Sequence, residues 1–151
     1  VDRIIAALYR ASRAVVRVDL VVRGICGIRS GVKDLSENIH VTSILGRYLD
    51  HSRIYAFAND GNPEIFIGSA DLMHRNLDRR IEALVPVKDP RHVKYLRDMF
   101  TTYMSDSSRT WHLDSEGNWT RHDTDDQGNP LQDVQSYYPS SRSRKNVVDK
   151  V

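Results

Sequence analysis

Apolar residues recur with a helical period in two segments of the chain. In the first segment the apolar positions are Ile4, Ile5, Leu8, Ala11 and Val15. This spacing places them on one face, and Asp2 precedes them as a candidate N-cap, so a helix is predicted over residues 3–14. The second segment, residues 90–105, is predicted to be another amphipathic helix for the same reason. Its apolar positions are Val93, Leu96, Met99, Phe100 and Tyr103.

Short runs rich in β-branched and aromatic residues predict strands between and after these helices. The predicted strands are residues 16–22, 39–44, 53–57, 64–68 and 80–87. A turn cluster from Asn59 to Asn62 joins the third and fourth strands as a hairpin. Residues 45–50 are predicted to be a brief helix. Because helical segments alternate with strands, the pattern favours the α/β class.

The composition changes towards the C-terminus, where Ser, Asp, Asn and Gly become frequent. Two short runs at 110–113 and 118–121 are predicted to be the arms of a small hairpin. The last residues, 140–151, carry basic side chains among serines and are predicted to be mobile. The predicted division is a compact domain at 1–105 and an appendage at 106–151 that consists of the hairpin and the basic tail.

The overall charge says little about binding partners. The 151 residues include 22 Lys and Arg against 20 Asp and Glu, a formal net charge of +2, so a preference for polyanions must come from local clusters. The single cysteine, Cys26, indicates a reducing compartment and is predicted to be a small core residue. No run approaches the roughly 18 consecutive apolar residues of a membrane span. The chain begins without Met inside a helical pattern, so we expect it to be a piece of a longer protein.

Two basic side chains stand near the ends of predicted strands, where α/β sheets commonly bind ligands. Arg23 follows the first strand, and the loop at Gly24 and Gly27 allows backbone N–H groups to approach a phosphate. His51 and Arg53 have alternate spacing on an extended segment, so both side chains can face one anion. Imidazole can donate a proton near neutral pH, and guanidinium offers planar donors to phosphate oxygens. The alternative for Arg23 and His51 is a structural role, in a surface ion pair or at a helix end.

A second polar group follows the predicted hairpin. Gly68 and Ser69 form a small-residue turn in which the hydroxyl is a candidate phosphate donor. Three arginines follow within six positions and are candidates for contacting a polyanion chain: Arg75, Arg79 and Arg80. Carboxylates at Asp71, Asp78 and Glu82 can form ion pairs instead, so both roles stay open for each arginine. The remaining histidines lack metal-ligand spacing, and no metal site is predicted.

Three sequence blocks are distinctive when they are taken together and in order. They are Val21-Val22-Arg23-Gly24-Ile25-Cys26, Gly46 to Tyr55, and Gly68 to Met73 continuing through Arg75 to Glu82. These blocks resemble the C-terminal catalytic domain of bacterial polyphosphate kinase, family 1, over residues 1–105. The resemblance implies an α/β fold of phospholipase-D-like type, a mixed sheet flanked by helices. It also implies that Arg23 and His51 contact ATP. Because a nearby phosphate raises the pKa of an imidazole, we expect His51 to act as a general acid or phosphate-positioning group.

The same blocks resemble a half-site of the phospholipase D superfamily, in which His-x-Lys-x4-Asp is followed by Gly-Ser-x-Asn. This chain departs from that pattern at three positions. Arg53 replaces the Lys, Ala58 replaces the Asp, and Asp71 replaces the Asn. These departures fit the kinase branch better than a hydrolase of lipids or nucleic acids. A site of this type needs two halves, each with a histidine, and this chain supplies one.

The resemblance implies a whole-enzyme reaction in which the terminal phosphate of ATP moves reversibly onto inorganic polyphosphate. The phosphohistidine intermediate is expected in the preceding domain, and Mg²⁺ is expected with ligands outside this chain. The implied partners are ATP or ADP, polyphosphate, the preceding domains and further copies of the enzyme, without nucleic acid or a transmembrane segment. The implied location is the bacterial cytoplasm, with association at a membrane surface as the alternative. The isolated chain is expected to have little turnover.

Two other functions remain open from the residues alone. One is a phosphodiesterase or nuclease that completes its site by dimerising. The other is a non-catalytic module that binds polyanions through the basic tail near residues 142–150.

Overall fold

A computed structural model describes residues 2–136 of the chain. Three helices are named here, α1 (Asp2–Arg13), α2 (His74–Arg79) and α3 (Pro90–Tyr103), and residues 134–136 are also helical. The strands are β1 (Val18–Val21), β2 (Ile39–Ser43), β3 (Ile54–Phe57), β4 (Glu64–Gly68), β5 (Leu84–Pro86), β6 (Thr110–Leu113) and β7 (Trp119–His122). The chain divides into two compact units.

The four-strand unit contains residues 8–50 and the described residues from 101 onwards. Its sheet has the order β1-β2-β6-β7, in which β1 and β2 are parallel and the other neighbours are antiparallel. The core lies around β2, because Ile39 and Val41 are only 1% and 2% exposed. Val134 is also buried, at 2% exposure. Because β2 is buried and pairs with β1 in parallel, the edge of the sheet at which both strands end is held in place.

The three-strand unit contains residues 2–7 and 51–100. Its sheet is an antiparallel meander in the order β3-β4-β5. A tight 3₁₀ turn at Asn59–Gly61 connects β3 to β4, and Ile54 pairs with Ile67 in the register of that hairpin. Ile65 of β4 and Met99 of α3 are the buried apolar residues of this unit. The small core leaves the polar loops around β3 and β4 exposed to solvent.

Most elements predicted from the sequence are present. Both amphipathic helices, the hairpin of β3 and β4 and the hairpin of β6 and β7 are confirmed within two residues at their ends. The hairpin of β6 and β7 is not an appendage beside the core, because β6 pairs with β2 through the register Thr42 to His112. The assignment of function to residues 1–105 alone stays a prediction. The basic tail at 140–151 lies outside the described residues.

Three local predictions are wrong. Residues 45–50 are irregular, because the main-chain N–H and C=O groups of Tyr48 bond to the side chain of Gln135 instead of to a helix. The strand predicted from residue 80 begins only at Leu84, and the helix α2 precedes it. Before Leu84, the N–H of Ala83 donates to the Ser69 hydroxyl instead of to a carbonyl of a neighbouring strand. Cys26 is half-buried rather than in the core.

No helix in the part of the chain that the structure describes has the length and apolar character needed to span a bilayer.

The C-terminus of α1 has a strained residue. Val16 donates to the carbonyl of Ala11 and Val15 to that of Ser12, which is the Schellman arrangement. Val15 therefore adopts a left-handed backbone with φ of 62°, at 82% exposure. Glycine usually occupies this position because a Cβ costs about 1–2 kcal/mol there.

We predict that Val15→Gly raises the free energy of unfolding by about 0.5–1 kcal/mol. The relieved Cβ strain exceeds the additional entropy of glycine in the unfolded chain. Urea denaturation measures the change, and Val15→Ala is the matched control because alanine keeps the Cβ and should gain less. An equal gain from both variants would assign the effect to the exposed side chain rather than to the backbone.

Candidate functional site

The parallel strands β1 and β2 end at the same edge of their sheet, and Arg23 lies there. The pairing continues one residue beyond β1, where the N–H of Val22 donates to the carbonyl of Thr42 at 2.8 Å. Arg23 follows directly and is half-buried. Its Nη1 donates to the main-chain carbonyl of Asp50 at 2.7 Å. The loop that leaves β2 therefore returns to the guanidinium of Arg23, and the next residue along the chain is His51.

His51 is exposed, and a neighbouring arginine holds its main chain. Nη1 of Arg53 donates to the carbonyl oxygen of His51 at 2.7 Å. The same guanidinium donates to Asp71, from Nε to Oδ1 at 3.1 Å and from Nη2 to Oδ2 at 3.4 Å. Both side chains of this pair are about one-fifth exposed. Two hydrogen bonds between one guanidinium and one carboxylate fix the orientation of the two groups. Arg53 thus braces the peptide that carries the imidazole.

The ion pair joins two of the positions at which the chain departs from the phospholipase D half-site pattern. Arg53 stands in place of the Lys and Asp71 in place of the Asn, and each satisfies the other. An Asn at 71 would not neutralise the guanidinium. The expectation that carboxylates pair with some of the arginines at 75, 79 and 80 is confirmed at Arg80, whose Nε lies 3.4 Å from Glu82. The pairing of Asp71 with Arg53 was not predicted from the sequence.

Glu82 is the centre of a hydrogen-bond network that engages Ser69. The hydroxyl of Ser69 donates to Oε2 of Glu82 and accepts the N–H of Ala83 at 3.0 Å. Nδ2 of Asn76 donates to Oε1 of Glu82 at 2.8 Å. The hydrogen bonds from Ser69 and then Asn76 hold the pKa of Glu82 below its ordinary value, so the carboxylate stays ionised at neutral pH. The hydroxyl proton of Ser69 is therefore already donated to Glu82.

Two residues of this region were not foreseen from the sequence. Asn76 is 3% exposed, although most of its neighbours in the sequence are charged. Tyr55 donates its hydroxyl to the carbonyl of Ala70 at 2.8 Å, and burial, followed by the charge of Asp71, raises the pKa of Tyr55. The phenol therefore stays protonated and fixes the turn. The alternation that predicted β3 could have placed Tyr55 on a half-buried face, whereas a short helix around Asn76 gave no periodic signal.

The other two arginines of the second group have a different environment. Arg75 and Arg79 lie one turn apart on α2, and both are exposed. Neither guanidinium has a hydrogen-bond or ion-pair partner among residues 2–136. The acidic residue between them, Asp78, pairs with His74 at 3.5 Å. Their guanidinium groups are therefore available to an anion from solution.

The structure thus sorts the candidate residues into three groups. Arg23 lies in the four-strand unit, at the edge where the parallel strands end, and His51 lies in the three-strand unit. The side chains of Arg53, Ser69 and Arg80 bond to partners within the chain. Arg75 and Arg79 are exposed on α2, and their side chains have no partner in the described part of the chain. Within the described part of the chain no cluster of three or more metal-ligating side chains occurs.

Comparison with known proteins decides the family. The family described as "Polyphosphate kinase C-terminal domain 2" matches residues 1–133. The chain belongs to this polyphosphate kinase family. It is 54% identical over 144 residues to the polyphosphate kinase of Streptomyces coelicolor, and this alignment covers 95% of the chain but 19% of the relative. It is 56% identical over 116 residues to polyphosphate kinase 1 of Chlorobaculum tepidum, covering 77% of the chain and 17% of the relative.

A solved polyphosphate kinase has the same fold. The crystal structure of the enzyme from Porphyromonas gingivalis matches with a TM-score of 0.84 at 36% identity, covering 96% of this chain and 22% of that one. This match confirms the predicted phospholipase-D-like α/β class. The chain thus spans about a fifth of the polyphosphate kinases it matches. The family match continues past residue 105, so the hairpin of β6 and β7 is a part of the shared domain.

Proposed function

We propose that this chain forms the nucleotide side of the active site in a polyphosphate kinase. The whole enzyme would transfer the terminal phosphate of ATP to inorganic polyphosphate and return it in the reverse direction. The observation that carries the proposal is the hydrogen bond from Arg23 to Asp50, the residue that precedes His51. The half-buried guanidinium that holds this carbonyl lies at the edge of the four-strand sheet, where α/β proteins bind ligands, and His51 is the next residue along the chain.

The proposed chemistry divides between this chain and the rest of the enzyme. The bond from the γ-phosphorus of ATP to the bridging oxygen breaks, and the phosphorus bonds to a histidine nitrogen of the preceding domain. Arg23 stabilises the negative charge on the phosphate oxygens, which is the main requirement of phosphoryl transfer. His51 donates a proton or a hydrogen bond to the departing ADP oxygen. Arg53 fixes the main chain of His51, so the imidazole needs little reorganisation on binding.

The polyphosphate chain is proposed to contact Arg75 and Arg79. Their charges are exposed and not neutralised by carboxylates in the described residues, as a polyanion site requires. Arg53, Arg80 and Ser69 rank behind them, because each already bonds to an internal partner. These three residues are proposed to support the phosphate contacts by holding Asp71 and Glu82 in place.

The remaining parts of the site are proposed to lie outside this chain. They are the phosphorylated histidine, in the preceding domain of the same polypeptide, and the ligands of the Mg²⁺ ion that accompanies ATP. We also propose that several copies of the complete enzyme assemble into an oligomer.

The proposal is tested by Arg23→Ala in the complete enzyme. We expect the KM for ATP to rise about tenfold, because the variant lacks one charge-assisted hydrogen bond to phosphate. Steady-state kinetics with ATP and polyphosphate varied separately measures this change. Arg23→Lys is the matched control, since it keeps the charge but not the planar donors and should fall between wild type and Arg23→Ala. An unchanged KM for ATP in Arg23→Ala would contradict a nucleotide site here.

A further inference from the structure

One glutamine near the end of the described chain holds the loop that leads from β2 to His51. Nε2 of Gln135 donates to the carbonyl of Ile44 at 3.1 Å and to that of Tyr48 at 2.6 Å. Its Oε1 accepts the N–H of Tyr48 at 2.9 Å. A single side chain therefore satisfies three main-chain groups in a loop that has no helical or strand bonding of its own.

Gly46 shows how closely the glutamine approaches this loop. A Cβ placed on Gly46 would lie 2.7 Å from Oε1 of Gln135 and 3.1 Å from its Cδ. Such distances are well inside van der Waals contact, so either the loop or the glutamine would have to move. The glycine at this position is explained by the glutamine rather than by a special backbone conformation.

The large apolar side chains of the loop are exposed, whereas Gln135 is anchored next to a buried residue. Leu45, Tyr48 and Leu49 are 58%, 58% and 63% exposed, so their side chains contribute little packing. Gln135 follows Val134, which is 2% exposed, and its own N–H donates to Oδ1 of Asp133 at 3.0 Å. The hydrogen bonds of Gln135 therefore connect the exposed loop to a segment that is anchored by the buried Val134.

We propose that Gln135 is a positioning residue for nucleotide binding. It fixes residues 44–50 so that the carbonyl of Asp50 meets the guanidinium of Arg23. The inference rests on the proposed function of Arg23, and it assigns a role in the site to a residue beyond the 133 positions that match the family. The C-terminal segment thereby takes part in the site through hydrogen bonds within the four-strand unit.

The test uses Gln135→Ala and Gln135→Met in the complete enzyme. Methionine keeps the length of the side chain without its hydrogen bonds, so a loss shared by both variants comes from those bonds. We expect faster hydrogen exchange of the Tyr48 amide and a KM for ATP about five- to tenfold higher, corresponding to net hydrogen bonds of about 1 kcal/mol each. The KM for polyphosphate and kcat should change less than about twofold, which a general loss of folded enzyme would not produce.

Gly46→Ala gives an independent approach to the same contact. Its Cβ should displace the Gln135 carboxamide and raise the KM for ATP to a similar extent. In the double variant Gly46→Ala, Gln135→Ala the obstacle is absent, so the KM should be no higher than in Gln135→Ala alone. If the losses in the double variant were additive, Gly46→Ala would not act through Gln135, and the proposed positioning role of Gln135 would be overturned.

The outcomes separate this inference from the proposed function. If hydrogen exchange of the Tyr48 amide were unchanged in Gln135→Ala, the hydrogen bonds of Gln135 would not hold the loop, and the inference would be overturned. Faster exchange with an unchanged KM for ATP would overturn the positioning role, while the effect of Arg23→Ala would still support the nucleotide site. A KM for ATP that does not respond to Arg23→Ala would remove the proposed function and this inference with it.

Discussion

Replacing His51 by glutamine in the complete enzyme should lower kcat with ATP by about 10²- to 10⁴-fold. This is the usual contribution of a positioned proton donor to phosphate or acyl chemistry. Glutamine keeps the approximate size and a hydrogen-bond donor but cannot release a proton, so the KM for ATP should change much less than kcat. Initial-rate kinetics in the direction of polyphosphate synthesis measures both constants. The result would separate a proton-transfer role from simple phosphate binding.

The control for this prediction is a histidine that is exposed but distant from the proposed chemistry in the sequence. His92 on α3 is such a residue, and His92→Gln should leave kcat within about twofold of wild type. If His51→Gln retained normal turnover, His51 would have no role as an acid. A loss of affinity for ATP without a loss of kcat would assign His51 to phosphate binding alone.

The fold was predictable where a single periodicity extends over a complete element. The helix α1 and the hairpin of β3 and β4 have clear patterns, and both are present with nearly the expected ends. The helix α2 has six residues, less than two turns, so no periodic signal exists in it. The helix predicted at residues 45–50 is absent for another reason. Its conformation depends on Gln135, a residue 87 positions away from Tyr48, and no local pattern contains that contact.

The candidate site was predictable as a set of residue types but not as a set of pairings. The basic residues around His51 and Arg75 indicated phosphate chemistry, and the chain's membership of the polyphosphate kinase family agrees with that interpretation. The sequence could not decide which arginines are neutralised, because the choice depends on side-chain geometry across a turn. The turn after β4 brings Asp71 to Arg53, and the Ser69 network draws Glu82 to Arg80. Only Arg75 and Arg79 remain without carboxylates among the described residues of this segment.

This sorting has a physical consequence for how the site would bind a polyanion. Arginines that already pair with carboxylates give a net charge near zero and hold fixed geometry. They suit the part of a site that must be precise, such as the peptide of His51. Arginines without partners supply net positive charge and tolerate movement, which suits a long chain of equivalent phosphates. The same residue type thus serves two different requirements within one short segment.

The double substitution Arg75→Ala, Arg79→Ala should therefore weaken polyphosphate binding about 100-fold, or about tenfold for each guanidinium removed. The KM for long-chain polyphosphate should rise by this factor at low salt, and the dependence of log KM on log salt should become shallower, because fewer counterions are released. The KM for ATP should change less than about threefold. Kinetics at two or more salt concentrations, with each substrate varied in turn, provides the measurement.

A charge-matched control distinguishes a specific contact from the loss of net positive charge. Arg10 and Arg13 on α1 are exposed and, within residues 2–136, also have no acidic partner. Removing both of them changes the net charge by the same amount as removing Arg75 and Arg79, but far from α2 in the sequence. If both double variants raised the KM for polyphosphate equally, the effect would be general electrostatic attraction. A change confined to Arg75 and Arg79 would establish α2 as the contact surface for the polyphosphate chain.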